Sequence, residues 1–446
     1  MNTPICDFIN EYKSKNFVRL HMPGHKGKNI LGLEEYDITE IKGADSLYEA
    51  NSIIAQSEKN ASELFGCKTY YSTEGSSLCI RAMMHLASLY ANEKGEELIV
   101  FAGRNAHKTF LSAAALLGFE VEWLNNKNES PYLSASLDLT ALEKSLSCTN
   151  NKTKIVYITT PDYLGNIDDV RAIAEICDKN NALLFVDNAH GAYLRFLTPS
   201  CHPIDLGAHL CCDSAHKTLP VLTGGAYIHL SDKLPDVFEK NVKSSLSLFG
   251  STSPSYLIMQ SLDYANKLIQ ETFAQELNNV INAISSSKNE LTKSGYSFFG
   301  NEPLKLTIGT KEYGYSGNQF ADILRNNRIE CEFSDTDFVV LMLSAHTTKQ
   351  ELQRVESVLK SIPQKQPILT TPPTIPILKK QMSIRKATLS SAEVLPVCEC
   401  IGRVAATPNV SCPPAVPIVV SGEIITREAI KCFDYYEITH CSVVKE

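Results

Sequence analysis

Leu183-Leu184-Phe185-Val186-Asp187-Asn188-Ala189-His190-Gly191 opens on four apolar residues and closes on an acid and a turn. A run that short and that apolar reads as a strand buried on both faces, the kind that helical crossovers cover in a parallel sheet. Ligands of an open α/β sheet bind outside the carboxyl ends of its strands, which is where Asp187 stands. A carboxylate buried there needs a cationic mate, and a protonated pyridine nitrogen would serve. A cap or loop acid is the ordinary alternative.

Working outward, a second apolar run, Leu210-Cys211-Cys212, leads into Asp213-Ser214-Ala215-His216-Lys217-Thr218-Leu219-Pro220 and then Thr223-Gly224-Gly225-Ala226. An amine just past a strand end, beside a histidine and a hydroxyl and ahead of a glycine pair, suits a Schiff-base nucleophile with a phosphate handle. Taken alone, such a cluster is more often a solvated loop. Upstream, Tyr71-Ser72-Thr73-Glu74-Gly75-Ser76-Ser77 is a small-residue turn running into a helix, and helix-start amides with two hydroxyls make a phosphate cradle. Simple N-capping by the serines is the alternative. Arg104-Asn105-Ala106-His107-Lys108 again follows a strand, and His107 reads either as a ring-stacking group or as a packed loop residue.

Between residues 60 and 230 short apolar runs alternate with helical patterns, as βαβ crossovers do. Strands are expected at Leu98–Ala102, Val121–Leu124, Lys154–Thr159 and Leu183–Val186, with helices at Ser76–Tyr90, Lys108–Leu117 and Asp168–Lys179. Past Ser253-Pro254 a long helix, Ser255–Leu291, leads to an α+β region. Its strands are Leu304–Ile308 and Phe338–Leu343, and its helices Ser316–Asn326 and Lys349–Ile362. The stretch from Pro363 to Pro376 reads as a stiff linker. Beyond it, Pro413-Pro414 and Pro417 must sit on edges or in loops.

The chain has 446 residues, of which 43% are hydrophobic and 21% charged, enough for a large domain with smaller ones and too apolar for a disordered chain. Its net charge of −8 speaks against a nucleic-acid binder. Fourteen cysteines without a CxxC pair point to buried thiols, Cys211, Cys212, Cys398 and Cys400 among them, rather than to disulfides or a zinc site. No metal is expected. No signal-like or membrane-spanning run occurs, so the expected location is the cytoplasm.

Together these motifs, from His21-Met22-Pro23-Gly24-His25-Lys26 to Ser251-Thr252-Ser253-Pro254-Ser255-Tyr256 and, more faintly, Gly402-Arg403 and Gly422-Glu423, resemble the bacterial-type ornithine/lysine/arginine decarboxylases. The likeness is to the shorter form, without a receiver-like domain. It implies pyridoxal 5'-phosphate as cofactor and an aspartate-aminotransferase-like α/β fold (fold type I) with a mostly parallel sheet. The implied division is an arm at 1–30, the cofactor-binding large domain at 31–255, a linking helix and small α+β domain at 256–365, and a carboxyl-terminal domain at 366–446.

By the same resemblance Lys217 forms the internal aldimine and Asp187 pairs with the pyridine nitrogen. His107 and Ala189 flank the ring, and His107 or the freed Lys217 reprotonates Cα. Ser76, Ser77, Ser214 and His216 hold the phosphate, and Ser253 reaches a neighbouring subunit's cofactor in a homodimer or larger assembly. The implied reaction turns lysine, ornithine or arginine into a polyamine-type amine and CO₂. A different reaction of the same cofactor, such as transamination or elimination, and a non-catalytic regulatory relative are the rivals. His190 and Glu423 are candidates at the substrate, Glu423 for its distal cation, with an ordinary surface-turn acid as the alternative. The chain departs from the family pattern at Glu74, Asn188, Tyr193 and Pro413-Pro414-Ala415.

Overall fold

The structure is a computed structural model that describes residues 1–124, 133–134, 136–408 and 416–446. In chain order the elements are α1 (Pro4–Ser14), α2 (Ile53–Phe65), β1 (Lys68–Ser72), α3 (Gly75–Lys94), β2 (Glu97–Ala102), α4 (Lys108–Leu117), β3 (Glu120–Trp123), α5 (Leu139–Cys148), β4 (Lys152–Thr159), α6 (Val170–Lys179), β5 (Ala182–Asp187) and β6 (Leu210–Asp213). They continue with α7 (Ala215–Thr218), β7 (Ala226–Leu230), α8 (Asp236–Phe249), α9 (Tyr256–Leu268), α10 (Ala274–Lys293), β8 (Ser297–Phe299), β9 (Lys305–Gly309) and α11 (Gly317–Asn326). The last are β10 (Phe333–Ser334), β11 (Phe338–Met342), α12 (Lys349–Ser361), α13 (Ile384–Thr388), β12 (Ala392–Pro396), α14 (Arg427–Tyr435) and β13 (His440–Val444).

Seven strands form one mixed sheet in the order β1-β7-β6-β5-β4-β2-β3. β5 runs parallel to β6, and β2 parallel to both β3 and β4, as expected of helix-connected strands. β7 runs antiparallel to both of its neighbours, β1 and β6. Neither β1 nor β7 is legible as a strand beforehand, because Tyr70-Tyr71-Ser72 and Tyr227-Ile228-His229 carry polar atoms inside buried runs. The chain between β6 and β7 holds only the four-residue α7, too little for a crossover, so it returns antiparallel and presents Lys217 on the turn.

The expected helices and strands form within a few residues of the expected ends, because caps and apolar spacing agree. Thr348 and Glu351 make a capping box for α12, and Ser316 and Gln319 one for α11. The long helix runs as α9 and α10 with one π turn, Ile269–Phe273, between them. Residues 363–376 carry no regular structure, in keeping with a linker, and are tied down by Tyr315 Oη donating to the Pro363 carbonyl at 2.8 Å and the Ile368 amide donating to the Lys311 carbonyl at 3.0 Å. Cys398 is a correction: it is exposed on a 3₁₀ turn, Val397–Glu399, whose three residues per turn set positions 398 and 400 on different faces, so that of the pair only Cys400 is buried. Pro417 lies outside any strand, and Pro413-Pro414-Ala415 lie outside the described residues.

The chain packs as two compact units, Met1–Glu96 with Val170–Gln275 and Glu97–Asp169 with Glu276–Glu446. In the first, β5, β6 and β7 are almost wholly buried, and α1 docks by giving the Ile5 and Cys6 amides to the buried Asp263 carboxylate, 3.0 Å each. In the second, Phe110 of α4 stacks on Tyr157 of β4 with ring centroids 4.4 Å apart, a geometry worth about 1 kcal/mol beyond its buried area. That unit also holds the antiparallel sheet β10-β11-β9-β8 and the β12-β13 pair.

Burial lowers the pKa of His209 and His229 below the ordinary imidazole value of 6.5. Groups held neutral in this way stabilise the fold above that value and stop doing so as pH falls through their folded pKa. The thermal midpoint is therefore expected to fall as the buffer is taken below about pH 6.5, and to fall less in His209→Gln. A midpoint insensitive to this step would contradict the assignment.

Candidate active site

Lys217 lies on α7, and its Nζ stands 3.0 Å from Nε2 of His190, three residues past Asp187. The two motifs singled out in the sequence thus meet side chain to side chain. Asp187 is the last residue of β5, about 1% exposed, and its Oδ1 accepts from the Ala189 amide at 3.2 Å. The β5–β6 register, with Asp187 opposite Cys212, brings the acid beside the strand that delivers the lysine.

At the head of α3, Glu74 is the N-cap and no side chain caps the helix, so the serines do not serve as caps. Ser76 Oγ instead accepts from Ser214 Oγ at 2.7 Å. The Gly75 amide donates to the Gly224 carbonyl at 2.7 Å, while the His216 amide and ring Nδ1 lie 3.1 and 3.0 Å from the Gly225 carbonyl. Gly224 has φ +100°, and a Cβ on it would come within 2.8 Å of the Thr73 carbonyl, so only glycine ties the lysine turn to the helix start in this way. Ser77 follows on the first turn of α3. Ser253 is exposed just before α9, on a segment whose Ser251 amide donates to Glu74 at 2.5 Å.

In the second unit, His107 is the N-cap of α4 and its Nδ1 accepts the Thr109 amide at 3.2 Å. Glu423 is buried rather than a surface acid, about 4% exposed, and its Oε2 accepts from Arg104 Nη2 at 2.8 Å and from the Val420 amide at 2.9 Å. The Arg104 guanidinium also donates to the Ile418 carbonyl at 3.0 Å and lies over the Trp123 ring, 5.0 Å from its centroid.

The profile of the Orn/Lys/Arg decarboxylase major domain matches residues 3–301, and that of the Orn/Lys/Arg decarboxylase C-terminal domain matches residues 364–443. The chain belongs to the Orn/Lys/Arg decarboxylase family. The arginine decarboxylase of Bacillus subtilis is 28% identical to it over 468 residues, 96% of this chain and 92% of the relative. That of Halalkalibacterium halodurans is 29% identical over 466 residues, 95% and 91% of the two chains. Among solved structures, the lysine decarboxylase of Francisella novicida superposes with a TM-score of 0.81 at 16% identity, covering 99% of this chain and 81% of that one. The expected fold type I, shared with pyridoxal-phosphate decarboxylases and cysteine desulfurases, is borne out.

Members of this family of amino-acid decarboxylases use pyridoxal phosphate. The first unit carries groups that fit it: an uncapped helix start with serine hydroxyls for a phosphate, a buried acid for a pyridinium and an amine for an aldehyde. Among the described residues no helix is long and apolar enough to cross a membrane.

Two features escape the sequence reading. The role of Arg104 is not legible in its motif, since its partner Glu423 lies more than three hundred residues away. Asp213, the first residue of the lysine motif, is fully buried against His202 and His229, which no spacing rule connects.

Breaking a buried ion pair by removing one partner costs about 3–5 kcal/mol, because the other charge is left in the interior. Glu423→Ala and Arg104→Ala are each expected to lower the unfolding free energy by about that much, and the double variant by less than their sum. Additive losses in denaturant titrations would refute the coupling.

Proposed function

We propose that this chain decarboxylates a basic amino acid, arginine ahead of lysine and ornithine, with pyridoxal phosphate held on Lys217. The reading is carried by the contact between Lys217 Nζ and His190 Nε2, which joins the lysine turn to the Asp187 strand end. Arginine comes first because relatives that match nearly the whole chain are arginine decarboxylases.

The cofactor, when bound, supplies a sink for the electron pair left on Cα as carbon dioxide departs. Asp187 stands to keep the pyridine nitrogen protonated. Ser76, Ser77, Ser214 and His216 would hold the phosphate, and Ala189 would lie against the ring. His190 accepts the proton that Lys217 must shed before its amine can attack a carbonyl, over a distance that needs no movement. Orientation of the Cα–carboxylate bond by these groups separates this reaction from transamination.

Borohydride reduction of the yellow holoprotein is expected to fix the cofactor on a peptide containing Lys217. Lys217→Ala should lose both label and turnover. A panel of amino acids read by mass spectrometry should yield agmatine with stoichiometric CO₂ and no keto acid. Label on Lys108 or Lys26, or keto-acid formation, would refute the reading.

We further propose a homodimer in the cytoplasm. Phe17, Val18, Leu20, Met22, Ile30 and Leu31 expose more than half of their surface in the amino-terminal segment, a row of apolar side chains that a second copy would cover. All described cysteines are free thiols, in keeping with a reducing compartment. If Ser253 serves the neighbour's cofactor, mixing inactive Lys217→Ala chains with inactive chains disrupted at Ser253 should restore some activity. No recovery after verified subunit exchange would mean self-contained sites.

A further inference from the structure

Behind the Lys217 turn lies a carboxylate that the reaction itself does not use. Asp213 closes β6 with no exposed surface. Its Oδ1 accepts from Asn188 Nδ2 at 2.7 Å, and its Oδ2 accepts from Nε2 of both His202 and His229 at 3.1 Å. Burial opposes its charge, yet the two rings hold its carboxyl below the usual carboxylate range.

The opposite ring nitrogens assign the protons. The Ile204 amide donates to His202 Nδ1 at 3.4 Å, so that ring, when neutral, carries its proton on Nε2. His229 Nδ1 faces the Thr69 hydroxyl at 2.9 Å and the Cys67 thiol at 3.8 Å, both able to donate, and burial favours its neutral form. Ligand atoms of His202, Cys211 and Asp213 lie within 4.8 Å of one another, a spacing that would also suit a metal ion. A ring that gives its Nε2 proton to Asp213 has no lone pair left there for a cation.

We propose that Asp213 is a positioning residue that locks the segment carrying Lys217 to the segment carrying Asp187 and His190. One carboxylate gathers donors from the turn after β5, from the loop that precedes β6 and from β7, and it stands four residues before Lys217 in the chain. Asn188, its closest donor, is next to Asp187. Gly191 leaves room for that amide, since a Cβ there would fall 2.0 Å from Asn188 Oδ1. Asn188 is also a departure from the family pattern. A glutamate in its place would set carboxylate against carboxylate. The inference rests on the roles of Lys217 and Asp187 proposed above.

Asp213→Asn tests it, because it removes the charge and leaves one acceptor oxygen where the carboxylate offers two to Asn188 and the imidazoles. The reciprocal pair, Asp213→Asn with Asn188→Asp, restores an amide–carboxylate contact. Apoprotein titrated with pyridoxal phosphate is expected to bind about ten- to a hundredfold more weakly in the single variant, the scale of one lost charge-assisted hydrogen bond. Most of that loss should be recovered in the double variant. In the holoenzyme kcat should fall while KM stays within about twofold.

Should Asp213→Asn fail to fold, His202→Gln, which keeps a donor, is compared with His202→Leu, which removes it. Only the leucine variant should lose affinity. Unchanged affinity in Asp213→Asn, no recovery in the double variant, equal affinity of the two His202 variants, or one equivalent of zinc in the purified chain would each overturn the proposal. The wild-type titration carries the parent reading and the variant-to-wild-type ratio carries this one. A wild-type chain that binds no cofactor overturns both.

Discussion

Two parallel strands leave their carboxyl ends side by side, and whatever follows each strand must then share the same small volume. β5 and β6 pair in this way, with Phe185 opposite Leu210 and Asp187 opposite Cys212. Both ends carry acids into the interior, Asp187 and Asp213, where water cannot solvate them. The donors that meet those acids, namely the Ala189 amide, the Asn188 amide group and two imidazoles, come from the connection between β5 and β6, which also carries His190, and from β7. Satisfying the buried charge therefore also fixes the connection that carries Asn188 and His190.

The return of the chain as antiparallel β7 follows from the same constraint. The twelve residues between β6 and β7, of which only the four of α7 are helical, fold as a tight turn whose Gly224 carbonyl accepts from the Gly75 amide at the start of α3. That turn brings serines from two distant segments into contact, Ser76 and Ser214, and anchors His216 to the Gly225 carbonyl. A helix start without a side-chain cap is costly unless something else meets its amides. Here the Gly224 carbonyl meets the Gly75 amide.

The second unit solves a comparable problem with a buried ion pair. Arg104 reaches from the end of β2 to Glu423 near the carboxyl terminus, and the pair is supported by the Val420 amide, the Ile418 carbonyl and the Trp123 ring. Each charge is matched and carries a further hydrogen bond, which offsets part of the cost of burying the pair. Glu423, read in the sequence as a candidate for a substrate's distal cation or as a turn acid, thereby meets a counter-charge within its own unit.

Much of this was legible in the sequence because local physics wrote it there. Short apolar runs ending on acids marked β5 and β6, and helical spacing marked α11 and α12. The resemblance carried by these ordered motifs pointed to the family and its fold. What remained hidden depended on partners far apart in the chain. β1 and β7 look too polar for buried strands until Thr69 and His229 are seen to satisfy each other across the pair. The burial of Glu423 required Arg104, and the role inferred for Asp213 required His202, His229 and Asn188. A sequence determines which groups need a donor or a counter-charge, but only the tertiary structure decides which distant residue supplies it, because register and loop path bring those atoms together.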